Sequence, residues 1–509
     1  MIVKVISSAV IGIDSFPVDV EVDITAGLPQ FSTVGLPDAS VRESKDRIKA
    51  AIKNSGYPFP THHVTINLAP ADTKKEGTSF DLPIAIAVLA SQGALSTGPL
   101  SDYLLLGELS LDGAIKGIHG ALLAAFTAKS LGLKGIILPN ENAYEAALVD
   151  GIDVIPVERL SDVVEFLGGR TQISPFHADI HTMFQQSRDY PFDFSDIKGQ
   201  EQAKRAIEVA VAGGHNILMI GPPGSGKSML AQRIVTIIPD LSLSEAIETT
   251  KIYSVSGLVG EKKALIATRP FRAVHHTISY AGLVGGGIAP RPGEISLAHN
   301  GVLFLDELPE FKKNVLETLR QPLEDGKITI ARSAQTATYP ARFMLVAAMN
   351  PCPCGYYGDR SNRCHCSLQQ IRQYQGRVSG PLFDRIDIHI EVPSVRYSDL
   401  RAETPGESSS FIRERIQTAR NIQKRRFAGD ETITNARMHD AQLRTFCRID
   451  EESRKLIEMA IDKLGLSARA HTKILKVART IADLDGSDCL TSSHVAEAIQ
   501  YRSLDRRLV

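Results

Sequence analysis

The residues best suited to chemistry form one stretch, Gly221-Pro222-Pro223-Gly224-Ser225-Gly226-Lys227-Ser228. Glycines at this spacing let successive backbone N–H groups turn inward around an anion. A helix opening at the lysine adds the partial positive charge of its N-terminus. Lys227 then reaches β- and γ-phosphates, and the Ser228 hydroxyl is a ligand for Mg2+. The flanks agree: Ile217 to Ile220 reads as a buried strand, and Met229 to Val235 as the start of a helix. Strand, glycine-rich loop, Lys-Ser and helix together describe a site for a nucleoside triphosphate, ATP with Mg2+.

Three further signals fit the same reaction. Val302-Leu303-Phe304-Leu305 ends in Asp306-Glu307, as a central parallel strand with carboxylates at its carboxyl end would. Asp306 would hold Mg2+ and Glu307 would polarise the attacking water. Phe343 to Met349 reads as another strand, ending in Asn350, whose amide can orient that water. Arg385 stands ahead of the strand Ile388 to Val392, and is either a charge supplied to a phosphate or half of a surface ion pair with Asp384 or Asp387.

These residues need more than one domain to hold them. A chain of 509 residues exceeds one hydrophobic core, and 43% hydrophobic with 23% charged residues is an ordinary globular composition. The formal net charge of −1 gives no global attraction to nucleic acid, so that attraction would rest on local patches. No stretch has a membrane span's length and no signal peptide leads the chain, so a cytoplasmic location is expected. The fold class is α/β: an N-terminal α/β domain over 1–170, a linker over 171–195, a P-loop α/β core over 196–395, and a C-terminal helical lid over 396–509. In the first domain, Val18 to Ile24 alternates with period two, Val41 to Asn54 and Phe80 to Ala90 read as helices, and Gly135 to Pro139 as a strand. The lid carries helical patterns at 411–426, 440–446, 451–464, 469–485 and 492–504.

Cys352, Cys354, Cys364 and Cys366 make a Cys-x-Cys pair repeated after nine residues, within a knuckle over 352–366. In a reducing compartment such a set suits a tetrahedral structural zinc better than a disulfide. His365 in place of one thiolate, or thiols without metal, are the alternatives.

Several stretches resemble known families. Residues 196–395 resemble the AAA+ ATPases, and the resemblance implies a ring in which Arg385 reaches the neighbouring subunit's γ-phosphate. It also implies that Arg469 is the lid's sensor arginine, with Arg479 on the same helix as its rival. Lys75-Glu76-Gly77 with Asp81-Leu82-Pro83, then Leu105 to Gly113, then Gly135 to Asn142 look like the proteolytic domain of Lon. The lysine of that protease's Ser–Lys dyad has no counterpart before Leu122, where the chain reads Ile118-His119-Gly120, so the first domain is Lon-protease-like without an intact dyad around Ser79. Residues 269–295 and 327–340 resemble the pore-facing insertions of the magnesium-chelatase and MCM branch of AAA+. That resemblance implies that Arg272, Arg291, Lys327 and Arg332 face a channel and meet DNA phosphates.

Met349 to Gly358 and Gly293 to Phe311 are similar almost letter for letter to the magnesium-chelatase-like ComM/YifB family. Membership implies a hexameric, DNA-stimulated ATP hydrolase that acts on single-stranded and branched DNA as a branch-migration helicase in natural transformation. The competing readings are the ATPase subunit of a metal chelatase and a Lon-like ATP-dependent protease.

Overall fold

Period-two burial builds the first sheet. The structure is a computed structural model that describes residues 2–179, 184, 190–260, 264–287, 290–332, 335–359, 363–395, 406–428, 434–464 and 466–504. The strand Asp14–Thr25 buries Val18, Val20 and Val22 completely and runs antiparallel to Val3–Ile11, with Val20 opposite Val5. The seven-stranded sheet runs Gln30–Val34, His63–Ala69, Asp14–Thr25, Val3–Ile11, Tyr103–Leu105, Gly135–Pro139, Asp153–Val157. The helix Asp81–Ser91 is apolar nearly all round and is therefore buried from Asp81 through Ala90, rather than amphipathic on a surface.

Continuous apolar runs, not alternating ones, build the second sheet. Its five strands are parallel, in the order Phe271–Val274, Val302–Leu305, Met344–Met349, Ile217–Ile220, Ile388–Glu391. All four residues of Ile217–Ile220 and of Val302–Leu305 are buried, as strands covered on both faces require. Parallel strands share one carboxyl edge, so the P-loop, Asp306-Glu307 and Asn350 are delivered to the same side of the sheet.

The lid consists of Ser409–Arg426, Asp440–Phe446, Glu451–Leu464, Ala468–Leu484 and Ser492–Gln500. Its apolar residues, Ile416, Ile474 and Val477 among them, join one core with Ile207, Ile217 and Ile234. A buried ion pair pins the junction: Lys473 Nζ lies 2.9 Å from Asp387 Oδ1, and the Asn216 amide donates to Asp387 Oδ2 at 3.0 Å. Burial pushes the Asp387 carboxyl up, but the charges of Lys473 and His215 outweigh it and hold the group well below the usual carboxylate range. A depressed carboxylate stabilises the fold above its unfolded pKa of about 3.9 and loses that contribution only as pH falls through its folded value.

The segment between the first and second units is not a free tether. The Phe176 amide donates to the Val154 carbonyl at 2.8 Å, its ring packs edge-on against Tyr144, and Phe194 is buried in the second core. Isolated aromatic anchors carry no period, which is why the sequence reads as linker. Gln185, Gln186, Ser187, Arg188 and Asp189 lie outside the described residues, as do Thr404 and Pro405 of the break before the lid. The two units also meet directly: Lys251 of the helix Leu243–Val255 sits over the Phe126 ring at 4.3 Å, and Leu241, Ala246 and Leu265 share an apolar cluster with Leu122 and Leu148.

Candidate functional site

Gly221 begins the loop where nothing larger fits. A Cβ there would lie 2.1 Å from the Val392 carbonyl oxygen, so only glycine lets the loop leave the strand alongside its neighbour. Gly224 and Gly226 have φ of +74° and +87°, in the left-handed region that orients successive N–H groups to one side. The helix Lys227–Ile237 starts on that turn. Lys227 Nζ donates to the carbonyls of Gly221 and Pro222 at 2.7 and 2.9 Å and lies 3.3 Å from Asn350 Oδ1. Burial lowers the Lys227 pKa, against the pull of Asp306 and Glu307, so the ammonium is poorly compensated and suited to a polyanion.

Ser228 Oγ donates to Asp306 Oδ2 at 2.8 Å, and Asp306 Oδ1 accepts from the Glu307 amide at 2.9 Å. A hydroxyl and a carboxylate side by side form the hard-oxygen set that Mg2+ prefers, and such a site leaves its remaining positions to water and phosphate. The residues therefore fit Mg2+, and Ser228 and Asp306 would hold it. Glu307 takes φ of +54° and points its carboxylate outward, 53% exposed, where a nucleophilic water has access. Lys227, Ser228, Asp306, Glu307 and Asn350 thus meet at one edge, although they lie as far apart as 123 residues in sequence.

Two residues at this edge had no role assigned by sequence. His276 Nδ1 lies 3.1 Å from Glu307 Oε2, on the turn that follows the strand Phe271–Val274. Gln200 donates from Nε2 to the Ser225 carbonyl at 2.7 Å and to the Pro393 carbonyl at 3.1 Å, bridging the loop to the last strand. A His-His pair and a glutamine at a helix start carry no motif, and only the strand order reveals what they touch. The His276–Glu307 contact competes with an incoming water for one carboxylate oxygen. Exposed pairs contribute about 0.2–1 kcal/mol, so His276→Ala should raise basal ATP hydrolysis by about 1.4- to fivefold in a steady-state phosphate-release assay. A fall in that rate would show that the imidazole assists rather than restrains Glu307.

The arginines divide. Arg385 is 12% exposed, donates to the Pro381 carbonyl at 2.7 Å and pairs with Glu324, not with Asp384 or Asp387 as the surface-pair alternative has it. Arg469, 66% exposed, lies 3.7 Å from Asp384 Oδ2, the carboxylate of the residue that precedes Arg385. Arg479 is buried and spent on Asp483, the Asp488 carbonyl and the Ser487 carbonyl inside the lid, so it is a structural staple.

Of the four basic residues expected on insertion loops, Arg272 is corrected. It sits within a sheet strand and is neutralised by a bidentate pair to Glu294, at 2.6 and 2.7 Å. The others lie exposed on two hairpins, Gly285–Gly286 with Arg291–Pro292, and Lys327–Ala331 with Thr336–Pro340. The hairpins pack together. Tyr339 donates to the Pro290 carbonyl at 2.6 Å, and a Cβ on Gly286 would lie 2.7 Å from the Arg332 guanidinium. Gly12, in the first unit's strand-to-strand turn, rests on Ala337 and Thr338 of the second hairpin.

The four cysteine sulfurs lie within 4.8 Å of one another, and Cys352 is buried. Exposed His365 stands outside that group. Backbone N–H of Tyr356, together with that of His365, favours the thiolate and brings Cys354 down to about 6. At Cys364 and Cys366 one backbone N–H bond also favours the thiolate, but burial and the neighbouring thiols outweigh it and push both thiols up. A compact set of four sulfurs with such amides fits a tetrahedral zinc site. His119 lies against Gly257 of the second unit and lines a small cavity with Glu141, Asn142 and Ser254, in which Ser79 has no part.

Comparison with known proteins places these features in context. Three family models match: "Magnesium chelatase, subunit ChlI" over residues 193–400, "Subunit ChlI of Mg-chelatase" over 20–142, and "Magnesium chelatase, subunit ChlI C-terminal" over 406–502. A protein designated YifB from Escherichia coli is 46% identical across 98% of this chain and 97% of its own length. The competence protein ComM of Haemophilus influenzae is 44% identical across 99% and 98%. The magnesium-chelatase 38 kDa subunit of Cereibacter sphaeroides is 24% identical, across 62% of this chain and 92% of its own.

Proposed function

Because this chain belongs to the magnesium-chelatase-like family of AAA+ proteins that includes ComM and YifB, we propose that it is an ATP-driven DNA motor. It works as a homo-hexameric ring in the cytoplasm, as a branch-migration helicase on recombination intermediates during natural transformation. Mg2+-ATP occupies the site built by Lys227, Ser228 and Asp306. Arg385 completes the site of the next subunit, and Arg469 serves as the lid's sensor arginine. A zinc ion closes the cysteine knuckle.

The observation that carries the DNA reading is the joined pair of hairpins, which brings Arg332 and the exposed Arg291 onto one surface element, with Lys327 at its base. A nearly neutral chain grips a polyanion when a ring repeats such an element around one channel. Magnesium-chelatase relatives keep the chelatase-subunit reading as the rival. A serine without a nearby base supplies no support for the protease reading.

Arg332→Ala tests the proposal. DNA affinity should fall several-fold at all sequences alike, and DNA-stimulated hydrolysis should decline with it. The slope of log affinity against log salt should flatten by about 0.7–0.9 for each phosphate that the variant leaves without a cation. Fluorescence anisotropy with single-stranded DNA across a salt series reads both affinity and slope. An unchanged slope would remove this hairpin from the DNA path.

A further inference from the structure

The cysteine knuckle is not a remote structural appendage. It begins two residues after Asn350, whose amide oxygen faces Lys227, and it folds back onto the P-loop itself. Gly355, between the two halves of the knuckle, has φ of +87°, and a Cβ on it would lie 2.5 Å from Cδ of Pro223 and 3.9 Å from the amide carbon of Asn350. Gln375 ties the start of the knuckle down by donating to the Pro351 carbonyl at 2.9 Å. The sulfurs of Cys352 and Cys354, Cys352 and Cys364, and Cys354 and Cys364 are 3.3, 3.8 and 3.7 Å apart. Those are the separations of a set of ligands converging on one centre, not of disulfides, whose sulfurs are about 2.05 Å apart.

We propose that Cys352, Cys354, Cys364 and Cys366 together hold one zinc ion, and that the closed knuckle is a strut that presses Gly355 against Pro223, so that metal occupancy sets the affinity of the P-loop for nucleotide. The four thiols release their protons as the metal binds, and the free energy of coordination fixes a loop with little apolar content of its own. With the metal gone, Pro223 and Asn350 lose a rigid neighbour. The amide cradle and the residue facing Lys227 then relax together. A displacement of the order of 1 Å in a positioned site costs up to about a hundredfold, so a loss of about tenfold in nucleotide affinity is expected. This inference rests on the reading that the site binds ATP.

The test uses the full chain purified without chelators. Zinc is measured by elemental analysis, and nucleotide affinity by titration with a fluorescent, non-hydrolysable ATP analogue. The native chain should carry one zinc. The paired change Cys364→Ser with Cys366→Ser should lose the metal and weaken the analogue about tenfold. Gly355→Ala keeps all four thiols, so it should retain zinc yet weaken the analogue comparably, because the added carbon meets the Pro223 ring. Lys227→Ala should lose the analogue and keep the metal. A native chain without zinc overturns the proposal, and so does a zinc-free cysteine variant with undiminished affinity. Should the cysteine variant fail to fold, Gly355→Ala with native affinity overturns the strut by itself. A native chain that holds zinc but binds no ATP analogue overturns the ATP reading and the coupling with it, while the metal site stands.

Discussion

Glu307→Gln binds ATP about as tightly as the native chain and hydrolyses it roughly a thousandfold more slowly, as loss of a positioned general base typically does. The geometry gives the reason. Lys227, Ser228 and Asp306 supply the contacts to phosphate and Mg2+, and Glu307 takes no part in them. Its carboxylate faces outward, where His276 contacts it. An isosteric amide keeps the turn at φ +54° but cannot draw a proton from water. Lys227→Ala does the opposite, losing nucleotide binding itself, because no other described cation lies on the loop. Equilibrium binding of a fluorescent nucleotide, beside phosphate release under saturating ATP, separates the two. Native hydrolysis by Glu307→Gln would mean that another group activates the water.

The second large effect belongs to Arg385. Within its own chain it leans on Glu324 and the Pro381 carbonyl, and neither partner belongs to the P-loop edge. A guanidinium that meets the γ-phosphate only across a subunit boundary should be worth about 10³-fold or more in turnover. Arg385→Ala should therefore assemble, bind ATP and scarcely hydrolyse it. Mixing Arg385→Ala with Lys227→Ala subunits should restore part of the activity, since some boundaries then join an intact loop to an intact arginine. Activity that stays flat across mixing ratios, with co-assembly shown by light scattering, would confine Arg385 to its bond with Glu324.

Legibility tracked how local the cause was. The lid helices Asp440–Phe446 and Glu451–Leu464 follow the sequence reading residue for residue, because apolar period and charge pattern are contained within each helix. The hairpin 327–340 was equally readable, its alternating Ile328 and Ile330 being buried between exposed neighbours. The P-loop was readable because its chemistry is contiguous. By contrast, the strand Asp153–Val157 passed unnoticed, since a proline interrupts a run of only five residues. Arg272 was misplaced because nothing near it in sequence announces Glu294, which is 22 residues away. His276 beside Glu307, and Gly355 beside Pro223, follow from strand order alone, since adjacent parallel strands bring distant turns together at one edge. Arg469 and Arg479 share one helix and one charge. Only burial tells the staple from the exposed guanidinium.

In the proposed motor, hydrolysis at this edge drives work on DNA. The most direct measurement is a fluorescently labelled four-way junction incubated with the native chain, Mg2+ and ATP, and followed by strand separation on a native gel. Conversion to duplex products is expected with ATP, none with a non-hydrolysable analogue, and none with Glu307→Gln. A native assembly that hydrolyses ATP yet leaves the junction intact and does not bind it, under conditions where it drives metal insertion into a porphyrin, would contradict the motor reading and favour the chelatase one.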